Sequence, residues 1–285
     1  MIPAQFDYTA PETLSEALRL LGSDDEAKVL AGGQSLVPML KFRMAQPGLL
    51  IDLARIPDLN FVAEENGTIR IGAMTTHNQV ETSALIREKC PLLAKTAGHI
   101  GDVQVRNRGT IGGSVAHADP AADYPAALLA LEARVKLVSA SGERIVGLDE
   151  FLVDALTTSL AEGEILTEVH VPLERAGVMT AYRTLIQPAS GFAVVGVGVR
   201  LGVENGTITF ARVALTGVAS KPYRATAVEQ LLEGRASGAE TFRAAAAHAA
   251  DGADALSDIH ASAEYRVNLA AVQVRRALED AAGSV

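Results

Sequence analysis

The sequence predicts an α+β protein with a larger mixed N-terminal part and a smaller C-terminal part. Its 285 residues are 48% hydrophobic and 21% charged, a globular composition long enough for two or three packed units. Helical and strand patterns alternate in residues 1–176, whereas three strand patterns and then three helical patterns occupy residues 177–285. We therefore place a boundary near residue 176.

The first predicted elements surround a pair of glycines. Thr13 and Glu16 form a capping-box pattern, which predicts that a helix starts at Leu14. A short strand over residues 28–30 then runs into Ala31-Gly32-Gly33-Gln34-Ser35, and a helix over residues 36–42 follows, with Ser35 as its N-cap. This glycine pair therefore lies between a strand and a helix start, where an anion can bind. The next strand is predicted over residues 48–53.

Hairpin and helix signals organise the middle of the chain. Asn66-Gly67 and Ser141-Gly142 each predict a hairpin between flanking strand patterns. Helices are predicted to start at Thr75 and Pro91 and to cover residues 126–131, and a strand is predicted over residues 164–171.

The C-terminal part predicts three strands and then three helices. The strands lie around Tyr182, over residues 193–199 and over residues 207–215, with Asn205-Gly206 as the turn between the last two. The helical patterns follow, at residues 225–232, 239–249 and 263–278.

A second glycine pair lies in the run Arg106-Asn107-Arg108-Gly109-Thr110-Ile111-Gly112-Gly113-Ser114. Glycine allows a positive φ and close approach of a ligand, and successive N–H groups of such a turn can converge on an anion. Two such turns, each beside a hydroxyl, could bind one pyrophosphate from two sides. The alternative for either pair is a simple tight turn. Arg106 and Arg108 either offset phosphate charge or lie in a solvated loop.

Composition and missing motifs exclude several functions. A net charge of −9 argues against nucleic-acid binding, and we expect neither a signal peptide nor a membrane span. The single cysteine, Cys90, permits no internal disulfide and no iron–sulfur cluster, which fits a reducing cytoplasmic setting. The nucleophile-elbow, zinc-protease, P-loop and G-x-G-x-x-G motifs do not occur, so no catalytic residue is assigned.

Several polar side chains invite a second hypothesis. His117, Asp119 and Asp123 could bind a metal, but Pro120 interrupts any helical spacing and we assign no metal. Asp123 is better explained as an acceptor for a ribose or N–H group, or as the cap of the helix that follows. We expect His77 and His99 to pack or cap, and Cys90 to be a buried filler.

Together these motifs resemble the medium, FAD-binding subunit of the molybdenum hydroxylases. This is the family of xanthine dehydrogenase and aerobic carbon monoxide dehydrogenase. The resemblance lies in residues 29–36 and 110–114 and extends over nearly the whole chain. The surrounding runs that match are Gln104 to Gly109, Asp119-Pro120-Ala121-Ala122-Asp123 and Ser190-Gly191-Phe192-Ala193.

The resemblance implies a two-lobed FAD-binding domain of the vanillyl-alcohol-oxidase/MurB (PCMH) type over residues 1–176, with lobes of about 1–57 and 58–176. A small C-terminal domain with a three-stranded antiparallel sheet and helices would cover residues 177–285. Backbone N–H groups and hydroxyls of both glycine motifs would hold the pyrophosphate. The implied FAD contacts are Ala31, Gly32, Gly33, Gln34, Ser35, Leu36, Ile100, Thr110, Ile111, Gly112, Gly113, Ser114, Asp123, Leu166 and Arg183. Relatives commonly carry lysine in place of Arg183, and some carry tyrosine in place of Phe192.

The resemblance also implies partners. A small subunit would carry two [2Fe-2S] clusters and a large subunit the molybdenum cofactor, in a dimer of heterotrimers. This chain would pass electrons from the nearer cluster through FAD to an external acceptor. The alternatives are a self-contained FAD-dependent reductase or oxidase, with Tyr124, Tyr182 or Ser190 as proton donor, and a flavin-free scaffold. The substrate and the acceptor are left open.

The pyrophosphate hypothesis carries an expectation for variants. Gly112→Val and Gly33→Val should each block close approach of the pyrophosphate and empty the site. We expect the fold to stay largely intact in each variant, because both glycines are assigned to contact with the ligand.

Overall fold

A computed structural model describes residues 1–283, and its first sheet joins three short strands from the start of the chain. The strands are β1 (Asp7–Thr9), β2 (Ala27–Leu30) and β3 (Leu49–Asp52). They are parallel, in the order β1-β3-β2. Each of the first two strands is followed by a helix, α1 (Leu14–Leu21) and α2 (Leu36–Lys41), as parallel connections require.

Local signals explain the ends of these first helices. Thr13 accepts the N–H of Glu16 at 3.2 Å, which confirms the predicted start of α1, and Gly22 ends it by donating to Leu18 O. Both reciprocal bonds of a capping box occur instead at Thr76 and Gln79, where the third helix begins.

The second sheet is antiparallel, with strand order β4-β5-β10-β6-β7. Its strands are β4 (Val62–Glu65), β5 (Thr68–Gly72), β6 (Arg134–Ser139), β7 (Gly142–Gly147) and β10 (Ile165–Pro172). β8 (Leu152–Asp154) and β9 (Thr157–Thr158) form a small ribbon. The helices are α3 (His77–Thr82), α4 (Ala84–Lys89), α5 (Pro91–His99), α6 (Val103–Arg106), α7 (Ile111–His117), α8 (Asp123–Ala130) and α9 (Leu148–Phe151). The Asn66-Gly67 hairpin is confirmed, with both residues at positive φ.

The third sheet is antiparallel and carries the C-terminal helices on it. Its strands are β11 (Val178–Ile186), β12 (Ala193–Glu204), β13 (Thr207–Thr216) and β14 (Tyr223–Arg224), in that order. β14 is a two-residue addition to the three strands that the sequence predicts. The helices are α10 (Thr226–Leu232), α11 (Ala239–Ala246) and α12 (Ala263–Ala282), and α12 packs on β11 and β12.

Helix α8 lies between the second and third sheets, and every one of its residues is buried. Small residues permit this close packing: a Cβ on Gly198 of β12 would come within 3.1 Å of Ala126 O. Polar contacts hold the segment before the helix, because Thr216 donates to Pro120 O at 2.7 Å and to Ala122 O at 2.8 Å. The third sheet therefore fixes the position at which α8 begins.

Candidate functional site

One cleft of about 780 Å³ collects most of the predicted contact residues. This volume is in the range of small-molecule and cofactor sites. Its walls come from the β2–α2 turn, the start of α7, the start of β10 and the loop between β11 and β12. The predicted residues that line it are Ala31, Gly32, Gly33, Gln34, Ser35, Leu36, Ile100, Thr110, Gly112, Gly113, Ser114, Asp123 and Leu166.

The first glycine segment has unused hydrogen-bond donors. Gly33 has φ +75°, which reverses the chain between β2 and α2. Within residues 1–283, the main-chain N–H groups of residues 32–35 donate to no acceptor, and the Ser35 hydroxyl does not cap α2. Successive free N–H groups around a positive-φ glycine favour an anion in the cleft.

The second glycine segment differs from the expected turn. Thr110 is the N-cap of α7, so Gly112 and Gly113 lie in the first turn of a helix, and neither uses the positive φ that glycine allows. Their N–H groups already have acceptors, Ala73 O at 2.9 Å and Thr110 Oγ1 at 3.1 Å. The N–H groups of residues 111 and 114 are likewise bonded within the chain. In the described chain, the Ser114 hydroxyl has no hydrogen-bond partner and is available to a ligand.

Close packing explains the glycines of the second segment. A Cβ on Gly112 would lie 2.4 Å from the Cβ of Ala73 and 2.7 Å from its carbonyl oxygen. A Cβ on Gly113 would lie 3.1 Å from that of Ala31, in the first segment. Helix α7 therefore approaches two neighbouring stretches of backbone so closely that a side chain would separate them.

The two glycine segments also meet directly. A Cβ on Gly32 would lie 2.1 Å from Arg108 O and 2.7 Å from the Cα of Gly109. Two main-chain segments, one after β2 and one between α6 and α7, thus touch in the lining of the cleft. The structure brings together the two segments that the sequence hypothesis joined through a shared ligand.

Asp123 is the first residue of α8 and is buried beside the cleft. Its Oδ1 accepts a 2.6 Å hydrogen bond from the hydroxyl of Tyr182 on β11. Burial raises the pKa of Asp123 from its ordinary value of 3.8 to about 6, although the tyrosine hydrogen bond acts in the opposite direction. The ring of His99 lies 5.6 Å from that of Tyr182.

Two predicted contact residues lie outside the lining. The side chain of Ile111 is fully buried in the hydrophobic core beneath α7. Arg183 forms an ion pair with Asp280 of α12 on an exposed surface. Phe192 does line the cleft, and it is 45% exposed.

Arg106, Cys90, His77 and His99 are engaged in ion pairing or packing. Arg106 forms an ion pair with Glu81 at 2.9 Å and donates to Ile100 O, so its charge is already paired. Cys90 is buried, and burial raises the pKa of its thiol to about 12, as expected for a filler. Burial lowers the pKa of His77 to about 4 and also lowers that of His99, so both rings pack as neutral groups.

The metal hypothesis gains no support from the side chains that it named. Asp119 accepts the N–H of Ala121 at 2.8 Å, and Asp123 is bonded to Tyr182. In the part of the chain that the structure describes, no three His, Cys, Asp or Glu side chains form a cluster suited to a metal ion. Among the same residues, no helix combines the length and apolar character of a membrane span.

Sequence reasoning missed part of the lining. The loop over residues 160–164 and Met39 contribute to the cleft wall. Nothing in the local sequence marks the loop, because its placement follows from pairing of β10 with β5 and β6, whereas Met39 reaches the cleft from α2. His77 also lines the cleft, although the sequence argument gave it only a packing or capping role.

Comparisons with known proteins agree over the full chain. A family model described as FAD binding domain in molybdopterin dehydrogenase matches residues 4–174, and one described as CO dehydrogenase flavoprotein C-terminal domain matches residues 180–281. The carbon monoxide dehydrogenase medium chain of Hydrogenophaga pseudoflava is 41% identical, covering 99% of this chain and 98% of its own. The 6-hydroxypseudooxynicotine dehydrogenase complex subunit alpha of Paenarthrobacter nicotinovorans is 40% identical, with 99% and 96% covered.

A solved structure agrees as well. A chain of a Hydrogenophaga pseudoflava carbon monoxide dehydrogenase that lacks the Mo-pyranopterin moiety superposes with a TM-score of 0.96. It is 43% identical, and 99% of each chain is covered. The two relatives above are named for chemically different substrates, although their identities to this chain are nearly equal.

Proposed function

This chain belongs to the family of FAD-binding subunits of molybdopterin dehydrogenases, and from that premise we propose that it relays electrons through FAD rather than transforming a metabolite itself. The comparisons confirm the resemblance, so the chain is a flavoprotein medium subunit of the molybdenum hydroxylase type. We propose that electrons enter from a [2Fe-2S] cluster of a small subunit and leave to an external acceptor.

The free N–H groups of residues 32–35 carry this proposal. They belong to residues that line a cleft of cofactor size, and a diphosphate is the anion of FAD that such free donors suit. The Ser114 hydroxyl and the buried carboxylate of Asp123 supply a further donor and an acceptor on the same cleft. Bound FAD supplies the electron-transfer chemistry, and this chain holds, orients and shields it.

The side chains near the cleft favour a relay over a self-contained flavoenzyme. A flavoenzyme with its own substrate needs a proton donor at the flavin. The Tyr124 hydroxyl is buried and has no partner in residues 1–283, and that of Tyr182 is committed to Asp123. Ser190 lies on the cleft, and its hydroxyl accepts the N–H of Phe192 at 3.4 Å. Tyr124 and Tyr182 do not line the cleft, and the Ser190 hydroxyl has no side-chain base as a partner in the described residues, so none of the three is placed as a proton donor to a substrate.

We further propose that the substrate is selected by a large subunit with the molybdenum cofactor. Relatives of nearly equal identity are named for carbon monoxide and for 6-hydroxypseudooxynicotine, so similarity in this chain does not track the substrate. A dimer of heterotrimers in the cytoplasm is the proposed assembly. The proposed domains are residues 1–176 and residues 177–285.

Purification of the full chain with and without the two partner subunits tests the proposal. We expect a yellow protein that releases one FAD per chain on denaturation. Its flavin should be reduced by the pre-reduced iron–sulfur subunit, but not by carbon monoxide or aldehydes added to the isolated chain. A colourless chain that takes up no FAD, or an isolated chain that oxidises a substrate, would contradict it.

A further inference from the structure

We propose that Tyr182 is a positioning residue that holds the carboxylate of Asp123 in the orientation that FAD requires. This inference rests on the proposed function, since it assumes that the cleft holds FAD. It adds a residue from β11, in the C-terminal part of the chain, to a site otherwise built mainly from residues 31–166.

Asp123 is the unusual acid of the cleft. The acidic residues that line it are Asp24, Asp25, Asp119, Asp123, Glu162 and Glu164. Within residues 1–283, Asp123 is the only one of these that is buried, at 5% exposure. A buried carboxylate is costly unless its oxygens are hydrogen-bonded, so its partner decides its orientation and charge.

Tyr182 is placed to control that carboxylate. Its hydroxyl donates to Oδ1 of Asp123 at 2.6 Å, although the two residues are 59 positions apart in the sequence. In the described chain, Tyr182 is the only side chain that bonds to this carboxylate, which also accepts the N–H of Asp123 itself. Asp123 lines the cleft, so the carboxylate can accept a further hydrogen bond from a hydroxyl or N–H of FAD. The phenol has little room to move, because a Cβ on Gly196 would already lie 2.6 Å from its oxygen and His99 packs against its ring.

Removal of the phenol hydroxyl should change the state of the acid. The titratable groups nearest to Asp123 are Tyr182 on β11 and Tyr124 on its own helix, with His99 of α5 behind Tyr182. The tyrosine hydrogen bond is the side-chain contact that lowers the pKa of Asp123 against the effect of burial. Without it, Asp123 should stay protonated at higher pH and lose its role as an acceptor.

A double-mutant cycle on the full chain tests this inference. Tyr182→Phe keeps the ring and should weaken FAD binding about tenfold, the size expected for loss of a charged hydrogen bond. Asp123→Asn should weaken it as well, and Tyr182→Phe should then add less than a twofold effect. The pH midpoint of FAD binding should rise in Tyr182→Phe.

Tyr8→Phe is the matched control. Tyr8 also donates to an aspartate, Asp52 at 2.7 Å, but neither residue lines the cleft, so FAD binding should be unchanged. The positioning role would be overturned if Tyr182→Phe weakened FAD binding equally in the wild type and in Asp123→Asn. It would also be overturned if Tyr182→Phe left the FAD affinity and its pH midpoint unchanged. If Tyr182→Phe does not fold, the test is Asp123→Asn alone, which must abolish the pH midpoint of FAD binding. A pH midpoint that persists in Asp123→Asn would overturn the inference. A wild-type chain that binds no FAD would overturn the proposed function and this inference together.

Discussion

The two glycine segments resemble each other in sequence, but they use their glycines differently. In residues 31–35, Gly33 takes a positive φ and the N–H groups of residues 32–35 have no acceptor within the described chain. In residues 110–114, the glycines are helical and their N–H groups are bonded to the protein. A glycine pair therefore indicates close approach of main-chain segments in both cases, but only the first pair leaves neighbouring N–H groups free within the described chain.

The two segments therefore differ in what a substitution should disturb. The first offers free donors suited to an anion, whereas the second lets α7 lie close to Ala73 and Ala31. Variants of the two segments should therefore separate loss of FAD from loss of folding.

Gly112→Val should have the largest effect on folding. Its side chain would start 2.4 Å from the Cβ of Ala73, and the backbone there cannot move away easily. We expect the free energy of unfolding to fall by about 3 kcal/mol, at the upper end for overpacking. This corrects the expectation that the fold would stay largely intact. Denaturant unfolding of the FAD-free chain measures it, with Gly238→Val as control because open space surrounds Gly238. Equal stability of the two variants would contradict the packing role.

Asp123→Asn should stabilise the FAD-free chain at neutral pH. The folded pKa of about 6 lies above the ordinary 3.8, so the folded state binds the proton more tightly. Stability from this group is then present below pH 4 and is lost as pH rises towards 6. We expect a gain of about 2 kcal/mol at pH 7 and none at pH 4, from thermal unfolding at both values. A gain that is independent of pH would contradict the ionisation argument.

Gly33→Ala should reduce FAD binding more than it reduces stability. Alanine at φ +75° costs about 1 kcal/mol, and relief of that strain would turn the N–H groups away from the cleft. We expect at least a tenfold loss of FAD affinity, measured by fluorescence titration. Gly67→Ala is the control, because Gly67 has the same φ of +75° in a hairpin outside the cleft. Gly67→Ala should lose as much stability as Gly33→Ala and bind FAD normally. Weakened FAD binding in Gly67→Ala would show that backbone strain alone causes the loss of affinity.

Sequence patterns predicted the elements well because the signals are local. Thr13 caps α1, Asn66-Gly67 forms its hairpin, and Asn205-Gly206 joins β12 to β13, each through residues close in sequence. The packing of Gly112 could not be predicted in this way, although Thr110 caps α7 locally. Gly112 closely approaches Ala73, which lies on a distant stretch of chain.

The site could be predicted only in part, for the same reason. The segment at residues 31–36 lies on the cleft as expected, but the loop over residues 160–164 reaches it through strand pairing, which leaves no local signal. The hydrogen-bond partner of Asp123 was also not predictable, because Tyr182 is 59 positions away in the sequence and lies on β11 of the third sheet. FAD contact by the individual residues stays a prediction.

Alanine in place of the two cleft hydroxyls, Ser114 and Ser35, should have the smallest effects and separates the two segments most sharply. Because the N–H groups of residues 111–114 already have acceptors, the Ser114 hydroxyl is the main donor that this segment can still offer. Its loss should weaken FAD binding two- to tenfold, the range of one neutral hydrogen bond, and leave the unfolding free energy within about 0.5 kcal/mol of the wild type. Ser35→Ala should give a smaller loss, since the free N–H groups around Ser35 would continue to hold the anion. Titration of both variants with FAD measures the order, and a larger loss in Ser35→Ala would show that the first segment binds through its hydroxyl rather than its backbone.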